Sequence, residues 1–224
     1  PTRRSSDLFP NANNIVVADT AKKSIPKLPD FGETKPIPPP LPFDKKWPPF
    51  MKRSKHDMAV RATKDPTYFI IHWAASNYDS AAEDIINWGV QQGYTYLSMG
   101  RDGKIVQAHP INGGGHHVGV ASVDSFDCLG IEVVNVGVPQ KVNGKWLPYY
   151  AQKDDGSWDM SKALPDNEII VDNDNDVDDE SFAGVYQKFT KEQYASLLKL
   201  AVFMVQVWGI KYENIRGHDM VALK

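Results

Sequence analysis

Four places in this chain combine residue types that do hydrolytic chemistry. His72 closes the run FIIH, His116 and His117 sit together in a Gly-rich turn, His218 stands in RGHD, and Glu132 lies in the middle of LGIEVVN. Taken singly, a histidine on a strand reads as a packed or hydrogen-bonded side chain. Glu132 changes the weighing, because a carboxylate inside an apolar strand is costly unless a partner or a task holds it there. Imidazoles at strand ends with a buried carboxylate nearby suggest metal-assisted hydrolysis. Zinc on two imidazoles and one more anionic ligand keeps a position for water, lowers its pKa toward ~7 and polarises a carbonyl. A carboxylate would take the water's proton.

The elements that must position these groups alternate between strand and helix patterns from Thr67 onward, which predicts an α/β layer structure. TYFIIHWAA follows Pro66 and is β-branched and aromatic, so it reads as a buried strand. SAAEDIINWGVQQ sets Ala82, Ile85, Ile86 and Trp88 at helical spacing, with Asp79 or Ser80 as N-cap and Gly93 past its end. YTYLSM, the turn Arg101-Asp102-Gly103 and KIVQA read as a hairpin. DCLGIEVVNV is a strand apolar on both faces. Thr190 opens a capping box with Gln193, and YASLLKLAVFMVQVWG, apolar almost all round, predicts a well buried helix. NIRGH makes a last short strand. Residues 137–189 are less regular. Their acidic run DNDNDVDDE has Val177 where a calcium loop needs Gly and Ala183 where it needs Glu, so a solvated loop is expected there.

The chain has 224 residues, 42% hydrophobic, enough for one folded domain with a real core. Its longest apolar stretch, Leu200 to Val205, is far short of the ~20 residues a bilayer span needs, so no membrane span is expected. Residues 1–66 carry 13 Lys and Arg against 7 Asp and Glu, and residues 67–224 carry 12 against 21. A nucleic-acid binder would concentrate cations on its folded part, and here the folded part is acidic. Between Pro26 and Pro49 nine of 24 residues are proline, which removes the amide donors that helices and ladders need. Residues 1–66 are therefore read as a Pro-rich, basic linker, with PTRRSSDL at its start matching the in-frame translation of a common sequencing adapter, and residues 67–224 as the catalytic domain. The single cysteine, Cys128, excludes internal disulfides and multi-thiolate zinc sites, and with no basic neighbour it reads as a small buried residue.

FIIHWAASNYDSAAEDIINW, YLSMGRDGKIVQAHP, HHVGVAS, LGIEVVN and IRGHDMVALK, in this order and spacing, resemble the zinc N-acetylmuramoyl-L-alanine amidases of the amidase-2 and peptidoglycan-recognition superfamily, phage lysozyme-type amidases among them. The resemblance covers about Thr67 to Lys224. It implies a central mixed β-sheet flanked by helices, zinc as cofactor, and cleavage of the amide between muramic acid and L-alanine. Peptidoglycan or a muropeptide is the partner it implies, with no nucleic acid. A monomer acting at the cell wall or released by a phage is expected. Carried over by residue, His72 and His218 match the first two zinc ligands, Glu132 the general base, and His117 a groove-lining histidine. Lys224, six residues after His218, matches a lysine that stabilises the oxyanion. The third ligand, an Asp or Cys shortly after the second His, has no match before the chain stops at Lys224, so it is expected beyond that point. Thr95 stands where the family often has Tyr, which leaves Tyr94 and Tyr96 as the aromatic candidates for substrate contact. The alternative reading is a peptidoglycan-recognition module without catalysis, lacking that third ligand.

Overall fold

The computed structural model describes residues 44–56, 64–76, 80–92, 97–113, 127–171 and 184–218. Backbone contacts divide the chain into Pro1–Pro40 and Leu41–Lys224, and every described residue belongs to the second unit.

Among the described residues ten strands and two long helices follow in order: β1 (Lys52–Arg53), β2 (Tyr68–Trp73), α1 (Ala82–Gln92), β3 (Leu97–Met99), β4 (Ile105–Gln107), β5 (Cys128–Val133), β6 (Gln140–Val142), β7 (Lys145–Leu147), β8 (Ile169–Val171), β9 (Val185–Gln187), α2 (Lys191–Trp208) and β10 (Ile215–Gly217). Six of the strands form one mixed sheet in the order β1-β4-β3-β5-β2-β10. Strands β3, β5, β2 and β10 run parallel, and β4 is antiparallel to β3 through the expected hairpin. This is the α/β architecture with a central mixed sheet that the sequence predicts. The pairs β6–β7 and β8–β9 make two small separate antiparallel two-stranded sheets.

Alternation along the strands splits the sheet into two faces. Phe69, Leu97, Met99, Leu129, Ile131 and Val133 face α2, where Leu200, Phe203 and Met204 complete the main core. On the other face Val106 and Ala108 pack against Ala82 and Ile86 of α1, which covers the β3–β4 end. Thr190 and Gln193 make the expected capping box, and Gly209 closes α2 in the left-handed conformation. Gly103, at φ +74°, allows the β3–β4 turn to touch the N-terminal turn of α2, where a Cβ would meet the Glu192 carbonyl at 2.5 Å. Thr190 Oγ1 donates to the Arg101 carbonyl across the same contact at 2.7 Å.

Three expectations differ from what the fold contains. The first is the burial of α2: Tyr194, Leu198 (67% exposed), Val202 and Val205 line its outer side. A helix packed on one side of a sheet buries only the stripe that meets it, whatever the residues opposite. Trp88 of α1 likewise points outward. Finally, residues 44–56 lie within the segment read as linker yet belong to the fold. β1 pairs in parallel with β4, Met51 is buried in the main core, and Phe50 packs edge-on against Phe203 with ring centroids 5.5 Å apart. Two aromatic or apolar anchors among the prolines suffice to seat this stretch. No helix among the described residues is long and apolar enough to cross a membrane.

Candidate active site

Register in the sheet assembles the site. His72 in β2 is paired with Glu132 in β5, and Glu132 is paired in turn with Ser98 in β3. Directly paired residues point to the same side, so these three side chains form one row across the parallel strands. On the other flank Gly217 pairs with Ile71, and His218 follows as the chain leaves β10. The His72 and His218 rings stack at 4.5 Å between centroids, 28° from parallel. His72 Nδ1 lies 3.9 Å from Glu132 Oε1. The two histidines and the glutamate thus meet toward the carboxyl ends of parallel strands, on the half of the face that α1 does not cover, the usual position of ligand sites in open α/β sheets.

Burial sets the electrostatics. His72 is buried and Glu132 retains 24% of its side-chain surface. The protein packed around the carboxyl withholds enough solvent to push its pKa from 4.5 up to about 7. A carboxyl with that value is matched to proton transfer near neutral pH. Cys128 is buried at the start of β5.

Around this row residues 134–136, 168, 187 and 193 are joined by a set of polar contacts. Gln193 Nε2 donates to the Val134 carbonyl at 2.9 Å, Asn135 Nδ2 to the Gln187 carbonyl at 3.1 Å, and the Val136 amide to Gln187 Oε1 at 2.9 Å. Arg101 reaches across from the β3–β4 turn to Glu168 at 2.8 Å. These bonds fix the chain where it leaves β5, just past Glu132. Trp73, next to His72, lies over Gly137 of the same segment, and the Tyr149 hydroxyl donates to the Ala75 carbonyl at 2.7 Å.

Two adjacent imidazoles beside a carboxylate are the donor types of a His and carboxylate zinc site, so the chemistry of the set fits the ion. Among the described residues no group of three His, Cys, Asp or Glu side chains is placed to hold a metal ion.

Residues 62–224 match the sequence profile of the family described as N-acetylmuramoyl-L-alanine amidase. The chain belongs to that family. Membership in the amidase family supports activity on peptidoglycan. No curated protein matches the chain. Among solved structures, an endolysin amidase of Clostridium intestinale URNW is similar at 14% identity and TM-score 0.47, over 80% of this chain and 87% of its own. The Escherichia coli amidase AmiD, in complex with an anhydro-muramoyl peptide, is similar at 18% identity and TM-score 0.43, over 72% and 51%. Drosophila peptidoglycan recognition protein SD is similar at 12% identity and TM-score 0.41, over 77% and 79%.

Of the residues singled out in the amidase sequence, His72, Glu132 and His218 come together. His117, Tyr94, Tyr96 and Lys224 lie outside the described residues, as do the histidine His116 and the acidic stretch from residue 172 to 183. Ser98 was missed. Its signal was a hydroxyl residue in a strand otherwise made of Leu97 and Met99, readable only once the pairing with Glu132 is known.

Proposed function

We propose that this chain is a zinc-dependent N-acetylmuramoyl-L-alanine amidase that hydrolyses the amide between the lactyl group of muramic acid and L-alanine in cell-wall peptidoglycan. The observation that carries the reading is the meeting of His72, His218 and a carboxyl of raised pKa on one edge of the sheet. His72 and His218 would hold zinc together with an anionic ligand from outside the described residues, and the ion when bound supplies Lewis-acid polarisation and water of lowered pKa.

Glu132 is the general base. Its carboxylate takes a proton from the water that attacks the lactyl carbonyl, and the same carboxyl returns it to the departing alanine amine as the tetrahedral intermediate collapses. Burial serves this shuttle, because desolvation raises the pKa of the metal-free carboxyl to about 7 and so makes its carboxylate a stronger proton acceptor. Lys224 is assigned to the oxyanion and His117, Tyr94 and Tyr96 to the bound glycan and peptide, on the family resemblance.

The test is incubation of the zinc-supplemented chain with purified peptidoglycan and mass spectrometry of the soluble products. Stem peptides with a free L-alanine amino terminus, beside glycan strands with intact glycosidic bonds, are expected. Release of disaccharides, peptide cleavage elsewhere, or retention of the protein on peptidoglycan without new amino termini would refute the assignment, the last outcome marking a recognition module.

A further inference from the structure

Four large apolar side chains stand on the outer side of α2. Tyr194 and Leu198 are 58% and 67% exposed, and Val202 and Val205 are exposed beside them. At 3.6 residues per turn their positions fall within about 80° of one another, so they make one stripe about 17 Å long. From Tyr194 to Gln206 the exposed positions of α2 carry one charge, Lys199, whose Nζ is drawn sideways over the Phe50 ring at 4.7 Å from its centroid. Tyr194 is steadied from the other end of the helix by Phe189, edge-on at 6.0 Å. Apolar residues scattered singly over a surface are ordinary, whereas an uninterrupted stripe along a helix marks a contact.

The spacing points to what covers it. The four positions are nearly symmetric about residue 200, with Leu198 and Val202 two residues to either side and Tyr194 and Val205 six and five away. A second α2 running antiparallel across a two-fold axis at that point sets Leu198 against Val202 and Tyr194 against Val205, each twice, as a self-complementary contact requires. The charges agree with that direction. The last turn of α2 has no basic residue to complement its carbonyl end, which closes at Gly209. Lys191 lies three residues before Tyr194, hence on the side of the stripe, and the antiparallel arrangement brings it to residue 209 of the facing copy. A parallel copy would leave that end uncomplemented. A stable interface covers about 800 Å² on each partner, more than one such stripe supplies, so the pair is weak, with Kd on the order of 10⁻⁵ to 10⁻⁴ M, and the chain is a monomer when dilute.

We infer that the outer face of α2 is a self-association surface on which a second copy of this chain docks, α2 against α2, antiparallel about a two-fold axis. The helix covers one face of the sheet, and His72 and Glu132 project from the other, so both sites stay open in the pair. Two sites on one particle raise the effective affinity for a polymer that carries many scissile bonds. That consequence rests on the amidase reading, and the contact itself does not.

The experiment is sedimentation velocity of the full chain from about 1 µM to about 500 µM, a span that brackets such a Kd. The weight-average sedimentation coefficient is expected to climb from the monomer value toward the dimer value. Leu198→Lys is expected to weaken the association at least tenfold with circular dichroism unchanged. Direction is read by mixing Tyr194→Cys and Val205→Cys chains at high concentration with a short bismaleimide, the parent with its buried Cys128 serving as control. The two variants are expected to be joined to each other and neither to itself, because like positions lie roughly 15–18 Å apart along an antiparallel pair. A chain that stays monomeric at the highest concentration overturns the inference, as does a dimer that Leu198→Lys leaves intact or cross-linking within either variant alone. It is also overturned if Leu198→Lys sharply lowers the urea midpoint of the dilute monomer, which would mean that the face is covered within the chain. Binding of phosphatidylglycerol vesicles through this face without pairing would assign it to a lipid surface and overturn it too. Inactivity on peptidoglycan would remove the amidase reading alone, since none of these readouts involves hydrolysis.

Discussion

Replacing Glu132 by Gln should make the metal-free protein more stable at alkaline pH while abolishing most of its catalysis. Burial raises the carboxyl pKa from 4.5 to about 7, so the folded protein prefers the neutral acid. The sign follows directly. Below pH 4.5 the group is protonated in both folded and unfolded chains, and no cost arises. As pH rises from 4.5 to 7 the unfolded chain loses its proton first, and stability declines until the folded group has ionised as well. A shift of that size corresponds to ~3 kcal/mol at about 1.4 kcal/mol per pH unit. The 24% of the side chain that meets solvent relieves part of this, leaving roughly 2–3 kcal/mol. Gln has the shape of the carboxyl and no charge, so it resembles the protonated form at every pH. Urea unfolding of the chelator-treated parent and Glu132→Gln from pH 4 to 8.5 should therefore give equal stabilities at the acid end and a gap of roughly 2–3 kcal/mol in favour of the variant above pH 7. Turnover with zinc should fall about 10²- to 10⁴-fold, the range for a positioned proton acceptor. A pH-independent gap, or a variant less stable than the parent at pH 8, would refute the argument that desolvation sets the character of this group.

His109, almost fully buried, has its pKa lowered to about 4 by desolvation, with Nδ1 2.7 Å from the Pro110 carbonyl oxygen. The unfolded chain takes up this proton near pH 6.5, so the contribution is complete above that value and is lost as pH falls toward 4, by ~3 kcal/mol in all. The loss should emerge most clearly in the Glu132→Gln background, where the opposing titration is gone, and a stability flat between pH 6.5 and 4 there would contradict it. Met51→Ala should cost about 2–4 kcal/mol in chemical denaturation, because the side chain is embedded in the main core, and a cost under 0.5 kcal/mol would return residues 44–56 to the linker. Leu198→Lys on the outer face of α2 should change stability by less than about 0.5 kcal/mol, and a loss of several kcal/mol would mean that this face is covered in the folded protein.

Strand β2, the β3–β4 hairpin, β5 and the capped helix α2 were legible because each carries a local signature: β-branched runs, Asp-Gly in a turn, and Thr with Gln three residues on. The three central site residues were legible because histidine and glutamate are out of place in such strands. What the chain does not spell out is which elements lie side by side. That Ser98 stands beside Glu132 follows only from the β3–β5 register, which depends on pairing between distant segments. The outward turn of Leu198 and Trp88 depends on how many layers cover each helix, and no local pattern carries that number. Residues 44–56 were misread because a proline-rich composition hides the few apolar anchors that seat them in the core. The 137–189 region was opaque for a similar reason: its β8–β9 pair is tied in place through Gln187, Glu168, Asn135 and Arg101, and polar contacts of this kind have no periodicity.

The parallel pairing of β2 with β5 and β10 also bears on the route by which the protein folds. A parallel pair cannot be closed by a tight turn, and here the partners at positions 72, 132 and 218 are brought together from widely separated parts of the chain. The β3–β4 hairpin and α2 depend on neighbours in sequence and can form early, whereas His72, Glu132 and His218 meet only after distant segments have paired. A refolding intermediate with most of its helix and hairpin content would therefore have no active site at all. Recovery of hydrolysis should lag recovery of far-ultraviolet circular dichroism, and in that interval the apolar edges of β2 and β5 stand open to self-association.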